Sequence, residues 1–254
     1  MTLSRVLVVY LVFVPFAGAQ PKKADPKDAP RVLMAMPFGV APGKATKVTL
    51  RGLKLDAAKE VRFGDKATKG TIKLLTKGKA GVPPQMEAAR VGDTQVEIEI
   101  TLPAGVAGDS VALVVTTPGG DTVPHKLLLD RKAVVQEKEP NEGFDTAQTV
   151  ALGQTVEGRI DRALDVDVYA FEGKAGQKVV LEVHAARLGG ALDSFLSLHD
   201  KDGQVIASND DIADSVDSRI EMTLTKGGKY FVTVIDSHDS GGALYGYRLS
   251  LRAK

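Results

Sequence analysis

The chain has 254 residues, no cysteine, no tryptophan and a net charge of +1. Without cysteine, disulfides, thiol catalysis and cysteine-bound zinc are excluded together. The near-neutral balance lacks the basic footprint of a nucleic-acid binder. It also hides an asymmetry: residues 31–130 hold 14 Lys and Arg against 10 Asp and Glu, whereas residues 131–254 hold 15 against 20, so a cation is the natural partner of the second half.

Residues 1–19 read as a secretory signal peptide. Arg5 supplies the positive start, residues 6–16 the apolar run, and Ala17-Gly18-Ala19 a small-x-small cleavage site before Gln20. The run is shorter than the about 20 residues a bilayer span needs. The expectation is a secreted or periplasmic protein with no membrane span after cleavage. Residues 20–30, rich in Lys, Asp and Pro, read as a flexible tether.

Residues 31–130 alternate with the two-residue period of half-buried strands. Val96, Ile98, Ile100 and Leu102 share a face opposite Gln95, Glu97, Glu99 and Thr101, and Val111, Leu113 and Val115 form a second set. Turn residues punctuate them at Pro42-Gly43, Gly64-Asp65, Pro103-Ala104-Gly105 and Pro118-Gly119-Gly120. The segment 77–93, with three glycines and two prolines, reads as a long inserted loop. Short strands without helical periods predict an antiparallel β-sandwich. Met36-Pro37, Val48-Thr49-Leu50-Arg51-Gly52, Val61-Arg62-Phe63-Gly64 and Val115-Thr116-Thr117-Pro118-Gly119-Gly120 resemble the IPT/TIG immunoglobulin-like family. That resemblance implies an Ig-like spacer or binding module.

Residues 131–138 read as a linker. From 139 to 254 eight strands are predicted, at 155–160, 165–171, 178–184, 195–200, 204–207, 219–225, 230–236 and 245–252, with a short helical turn over 144–150. Eight strands fit a jelly-roll-like sandwich. The fold class is therefore all-β, two tandem antiparallel β-sandwiches.

Hard oxygen donors gather where the second sandwich begins. Glu137-Lys138-Glu139-Pro140-Asn141-Glu142 offers four oxygen-bearing side chains on an extended segment, and calcium takes six to eight oxygen ligands. In Asp165-Val166-Asp167 the strand period sends both carboxylates to one face, about 7 Å apart, where they repel unless a cation is near. The alternative is a solvated linker capped by a turn-favouring Asn. A second acidic group, Asp193 with Asn209, Asp210 and Asp211, is a weaker metal candidate if its loops converge, and solvated loops otherwise.

Glu139-Pro140-Asn141, Val156-Glu157-Gly158-Arg159-Ile160, Asp165 to Phe171, Leu192-Asp193-Ser194, Asn209-Asp210-Asp211 and Gly228-Lys229-Tyr230 resemble, in order, the bacterial pre-peptidase C-terminal (PPC) domain. The resemblance spans essentially all of 137–252. It implies a β-sandwich appendage of exported proteins, often peptidases. By position it nominates Glu137, Glu139, Asn141, Glu142, Asp165 and Asp167 as calcium ligands, with the cation drawing the linker onto the sandwich and fixing the pose of the two modules.

Catalytic patterns are poor. Four histidines form no His-Glu-x-x-His motif, and no Gly-x-Ser-x-Gly occurs. Ser237-His238-Asp239 has triad residue types, but a triad needs side chains converging from positions set by the fold. The leading expectation is an exported non-catalytic binding and adhesion protein whose partner is a protein or an extracellular matrix or cell-surface polymer. An accessory or inhibitory partner of a separate secreted peptidase, and a hydrolase with an unrecognised site, stand as alternatives.

Overall fold

The computed structural model describes residues 29–254. The signal-peptide expectation for 1–19, and the tether up to residue 28, lie outside the described residues.

The first sandwich is built from β1 (Arg31–Met36), β2 (Gly39–Val40), β3 (Thr46–Leu53), β4 (Glu60–Phe63), β5 (Thr71–Lys79), β6 (Thr94–Thr101), β7 (Ser110–Thr117), β8 (Gly120–Asp121) and β9 (His125–Leu129). One sheet runs β1-β3-β6-β5 and the other β2-β9-β7-β4, with β8 folding back on β7. The alternation read along 94–101 is realised on β6, whose residues are buried and half-exposed in turn. Its Val96, Ile98 and Ile100 meet Val48, Leu50, Leu113, Val115 and Leu127 in one apolar core.

The segment 77–93 is less of a loop than its glycines and prolines imply. β5 extends along β6 as far as the pair Lys79↔Thr94, and α1 (Ala88–Val91) closes the excursion. The Arg51 guanidinium holds that excursion shut by donating to the carbonyls of Gly81, Val91 and Gly92 at 2.5–2.9 Å.

The second sandwich comprises β10 (Val135–Gln136), β11 (Gln148–Thr149), β12 (Thr155–Arg159), β13 (Asp167–Gly173), β14 (Lys178–His184), β15 (Ser194–His199), β16 (Val205–Asn209), β17 (Arg219–Thr223), β18 (Gly228–Asp236) and β19 (Gly246–Ala253). Its sheets are β10-β12-β19-β14-β17 and β11-β13-β18-β15-β16. All eight expected strands are present, with ends shifted by a few residues. Tyr169, Phe171, Leu181, Leu198, Val232, Val234, Tyr247, Leu249 and Leu251 fill the space between the sheets. Each fully buried side chain of this size contributes about 1.5–3 kcal/mol.

Three expectations are corrected. Residues 144–150 form no helical turn: β11 runs parallel to β13 instead, pairing Gln148 with Tyr169, while Phe144 seats on the sheet against Phe231 and His199 at centroid distances of 4.7 and 5.2 Å. Backbone ladder bonds and that ring contact outweigh a weak local helix preference. The linker 131–138 is not a free connector either, because β10 adds to the second sandwich beside β12. Strand β13 begins at Asp167, so Asp165 lies in the preceding turn, where Leu164 takes a φ of +62°. Among the described residues no helix is long and apolar enough to cross a membrane.

Candidate metal centre

The parallel pairing of β10 with β12 carries the chain straight into the acidic segment. Glu137 donates its backbone N–H to the Glu157 carbonyl at 3.0 Å, and its Oε2 accepts the Arg159 N–H at 2.7 Å. Four residues on, the Asn141 carbonyl accepts the Val168 N–H at 3.0 Å, which lays the segment along the start of β13. Asp165 enters from its turn, with Oδ2 accepting the Asp161 N–H at 2.6 Å. The two aspartates thus reach the centre from a turn and a strand end rather than as neighbours on one strand face.

Carboxylate oxygens of Glu137, Glu139 and Asp167 lie within 4.8 Å of one another. Asn141 braces them: its Nδ2 donates to Glu137 Oε1 at 3.2 Å and its backbone N–H to Glu139 Oε2 at 3.1 Å. Asn141, Asp165 and Asp167 are at most 2% exposed. The Oδ1 atom of each is buried without a hydrogen-bond partner. The nearest cation to Asp165 Oδ1 is the exposed Arg162 guanidinium, an ion-pair contact of 3.5 Å. Buried acceptors are nearly always satisfied in folded proteins. Three orphaned oxygens beside three clustered carboxylates make an arrangement that a cation completes.

Two tyrosines that the sequence reading did not place in the site form its floor. Tyr247 Oη donates to Asp167 Oδ2 at 2.6 Å, Tyr169 Oη to Glu137 Oε1 at 2.7 Å, and the two hydroxyls are 2.6 Å apart. The signal was available: both fall on the core face of their strands, and a buried phenol requires a polar partner. Gly158 makes the approach possible, since a Cβ there would lie 2.8 Å from Tyr247 Oη and 3.0 Å from Glu137 Oε1.

The electrostatics follow from the crowding. Burial first, then Glu137, pushes the Asp167 carboxyl up to about 10. Burial also raises Glu139, with Glu137 and Asp165 adding to it against the Asn141 N–H. Both phenols are held well above their ordinary range by burial and the neighbouring acids. Glu142 differs and is removed from the set. Its Oε1 takes the Arg162 guanidinium at 2.8 Å, which lowers its pKa, and it faces outward. An adjacent arginine has satisfied it.

The second acidic group is assembled only in part. Asp193, Asp210 and Asp211 bring oxygens within 4.8 Å, but the latter two are exposed. Asn209 is not available to it: its amide donates to the Asp211 carbonyl and accepts the Arg219 N–H. Ser237 Oγ donates to Asp210 and His238 Nδ1 stands 3.6 Å from Asp193. Asp239 sits in a turn with φ +54°. Ser237 and His238 therefore point to different partners.

Asp165, Asp167 and the elements from β13 to β18 coincide with a known family. Residues 165–236 match the bacterial pre-peptidase C-terminal domain. The PPC domain thus accounts for most of the second sandwich, and the all-β architecture of the first is seen in the structure alone. The chain is 38% identical over 118 residues to a probable subtilase-type serine protease of Deinococcus radiodurans, a match covering 44% of this chain and 16% of that protein. Among solved structures, the pre-peptidase C-terminal domain of a Bacillus anthracis collagenase aligns with 46% of this chain and all of its own, at 20% identity and a TM-score of 0.36. A periplasmic inhibitor of g-type lysozyme from Aeromonas hydrophila aligns with 48% of this chain and all of its own, at 17% identity and a TM-score of 0.34.

Proposed function

We propose that this is an exported, non-catalytic binding protein whose PPC domain engages a protein or extracellular polymer and whose module junction holds a calcium ion. The first sandwich serves, in this reading, as an IPT/TIG-like spacer. The observation that carries the metal assignment is the set of buried, unpartnered Oδ1 atoms on Asn141, Asp165 and Asp167 next to the Glu137–Glu139–Asp167 carboxylates. Five residues, Glu137, Glu139, Asn141, Asp165 and Asp167, supply only hard oxygen donors, the set calcium prefers. The cation's chemistry here is structural: it neutralises charges that burial otherwise forces to take up protons.

Terbium offers a direct test, because Tyr169 and Tyr247 border the site and can sensitise its emission under ultraviolet excitation. Saturable terbium luminescence, displaced by calcium and absent in Asp167→Asn, supports the assignment. Emission unchanged by Asp167→Asn, or no calcium-dependent rise in melting temperature, overturns it.

The 38% identity to a segment of a protease favours one second reading, an accessory partner of a separately encoded exported peptidase. Saturable binding of the purified chain to a subtilase-type peptidase, measured by calorimetry, favours it over a polymer-binding role.

A further inference from the structure

We infer that the two sandwiches form one cooperative body, joined by a buried ion-bridged seam centred on Arg248, and that the cation at the junction does not set their relative pose. The inference goes beyond the metal assignment and does not depend on it.

Arg248 lies on β19, on the face turned away from the sandwich core, and is 5% exposed. Its guanidinium faces both modules. Nε and Nη2 donate to Glu157 Oε2 within the second sandwich at 2.8 and 2.6 Å. Nη1 and Nη2 donate to the two oxygens of Asp130, at the end of the first sandwich, at 2.7 and 3.0 Å. The other oxygen of Glu157 accepts the backbone N–H of Phe38, again from the first sandwich, at 3.2 Å. A planar donor fork engaged two-pronged on each side fixes orientation as well as distance.

Apolar groups seal the seam around these charges. Met34, Phe38 and Val91 of the first sandwich are buried as members of the second sandwich's core, with Met36, Val82 and Met86 packed against it. The contact is too close for side chains at two glycines. A Cβ on Gly39 would meet Arg248 Nη2 at 2.7 Å and Asp130 Oδ2 at 2.8 Å, and one on Gly189 would meet the Leu33 carbonyl at 1.9 Å. Beside it, the Arg90 guanidinium donates to the Ala191 carbonyl at 3.3 Å, so the 77–93 excursion acts as an arm reaching across to the PPC domain. None of these contacts involves the acidic centre's orphaned oxygens. Because the seam occupies the β12–β19 face of the PPC domain, an external partner of that domain must use another face.

The test uses the full chain, whose lack of cysteine permits clean double labelling. Val123 and Val205, 77% and 59% exposed on the first and second sandwich, are replaced as Val123→Cys and Val205→Cys and spin-labelled. One narrow interspin distance, identical in EGTA and in calcium, is expected, together with a single calorimetric transition. A broad distribution in EGTA that narrows with calcium, or two transitions in the parent chain, overturns the inference. Arg248→Ala is expected to broaden the distance and to lower the melting temperature by roughly 10 °C. Should that variant fail to fold, Asp130→Asn, which leaves the Arg248–Glu157 pair intact, is expected to broaden the same distance. Parent-like distributions in both variants overturn the clamp. Terbium binding is read separately, so failure of the metal assignment and failure of the seam are distinguishable.

Discussion

The acidic centre and the Arg248 seam both place charge in the interior of the same molecule, within a few residues of each other along β12, and they resolve it in opposite ways. At the seam every charged oxygen has a donor: Glu157 is shared between Arg248 and the Phe38 N–H, and both oxygens of Asp130 meet guanidinium nitrogens. At the acidic centre three buried oxygens have none, and the Asp167 carboxyl is driven up to about 10. A buried charge that the chain neutralises itself is an internal joint. One that it leaves open is addressed to something outside the chain.

The sharpest break of this contrast is removal of the compensating cation at the seam. Taking one partner from a buried ion pair strands the other and costs about 3–5 kcal/mol, here worsened because Arg248→Ala strands both Glu157 and Asp130. We expect a destabilisation of that size in urea titrations. A loss below about 1 kcal/mol, the range of surface pairs, would place the seam among ornamental contacts.

The corresponding operation at the acidic centre has the opposite sign. Asp167→Asn removes a charge that the metal-free fold resists, while preserving an acceptor for Tyr247 Oη. In EGTA the variant is expected to be at least as stable as the parent. The parent alone gains from calcium, by about 2.7 kcal/mol at a hundredfold excess over the dissociation constant. Equal calcium responses in the two proteins would equate the regions and defeat the comparison. Smaller in size, Tyr247→Phe deletes the hydroxyl bonded to Asp167 and is expected to cost about 1 kcal/mol without abolishing the calcium response. Loss of that response would make the phenol a ligand rather than a brace.

The contrast also explains what was legible beforehand. Two-residue alternation discloses the first sandwich and the inward face of β6, because burial on one face is a local property of sequence. The ligand candidates are legible as oxygen donors of fixed spacing, and the structure brings the carboxylates of Glu137, Glu139 and Asp167 together, with Asn141 bonded to two of them. The pairing of Glu142 with Arg162, twenty residues away, has no local signature. The seam was illegible for the same reason: Arg248 sits in a position that alternation assigns to solvent, and only the approach of Asp130 and Phe38, more than a hundred residues distant, buries it. Tyr169 and Tyr247 are core residues whose hydroxyls serve the site behind that core.

The finest test exploits two histidines, one in each sandwich. Burial lowers the pKa of His125 in β9 and of His184 in β14, so the native state resists a proton that the unfolded chain accepts near pH 6.5. Stability from these groups is present above that value and declines as pH falls below it. In the chain from Gln20 onward every tyrosine, Tyr169, Tyr230, Tyr245 and Tyr247, belongs to the second sandwich, so tyrosine fluorescence of that chain follows the unfolding of that sandwich. If the modules were independent, protonating His125 would leave the fluorescence-detected urea midpoint untouched. In one cooperative body His125→Gln must lessen the fall of that midpoint between pH 7 and pH 5, although the substituted residue lies in the other module. An identical pH dependence in the variant and the parent would return the two sandwiches to separate folding units.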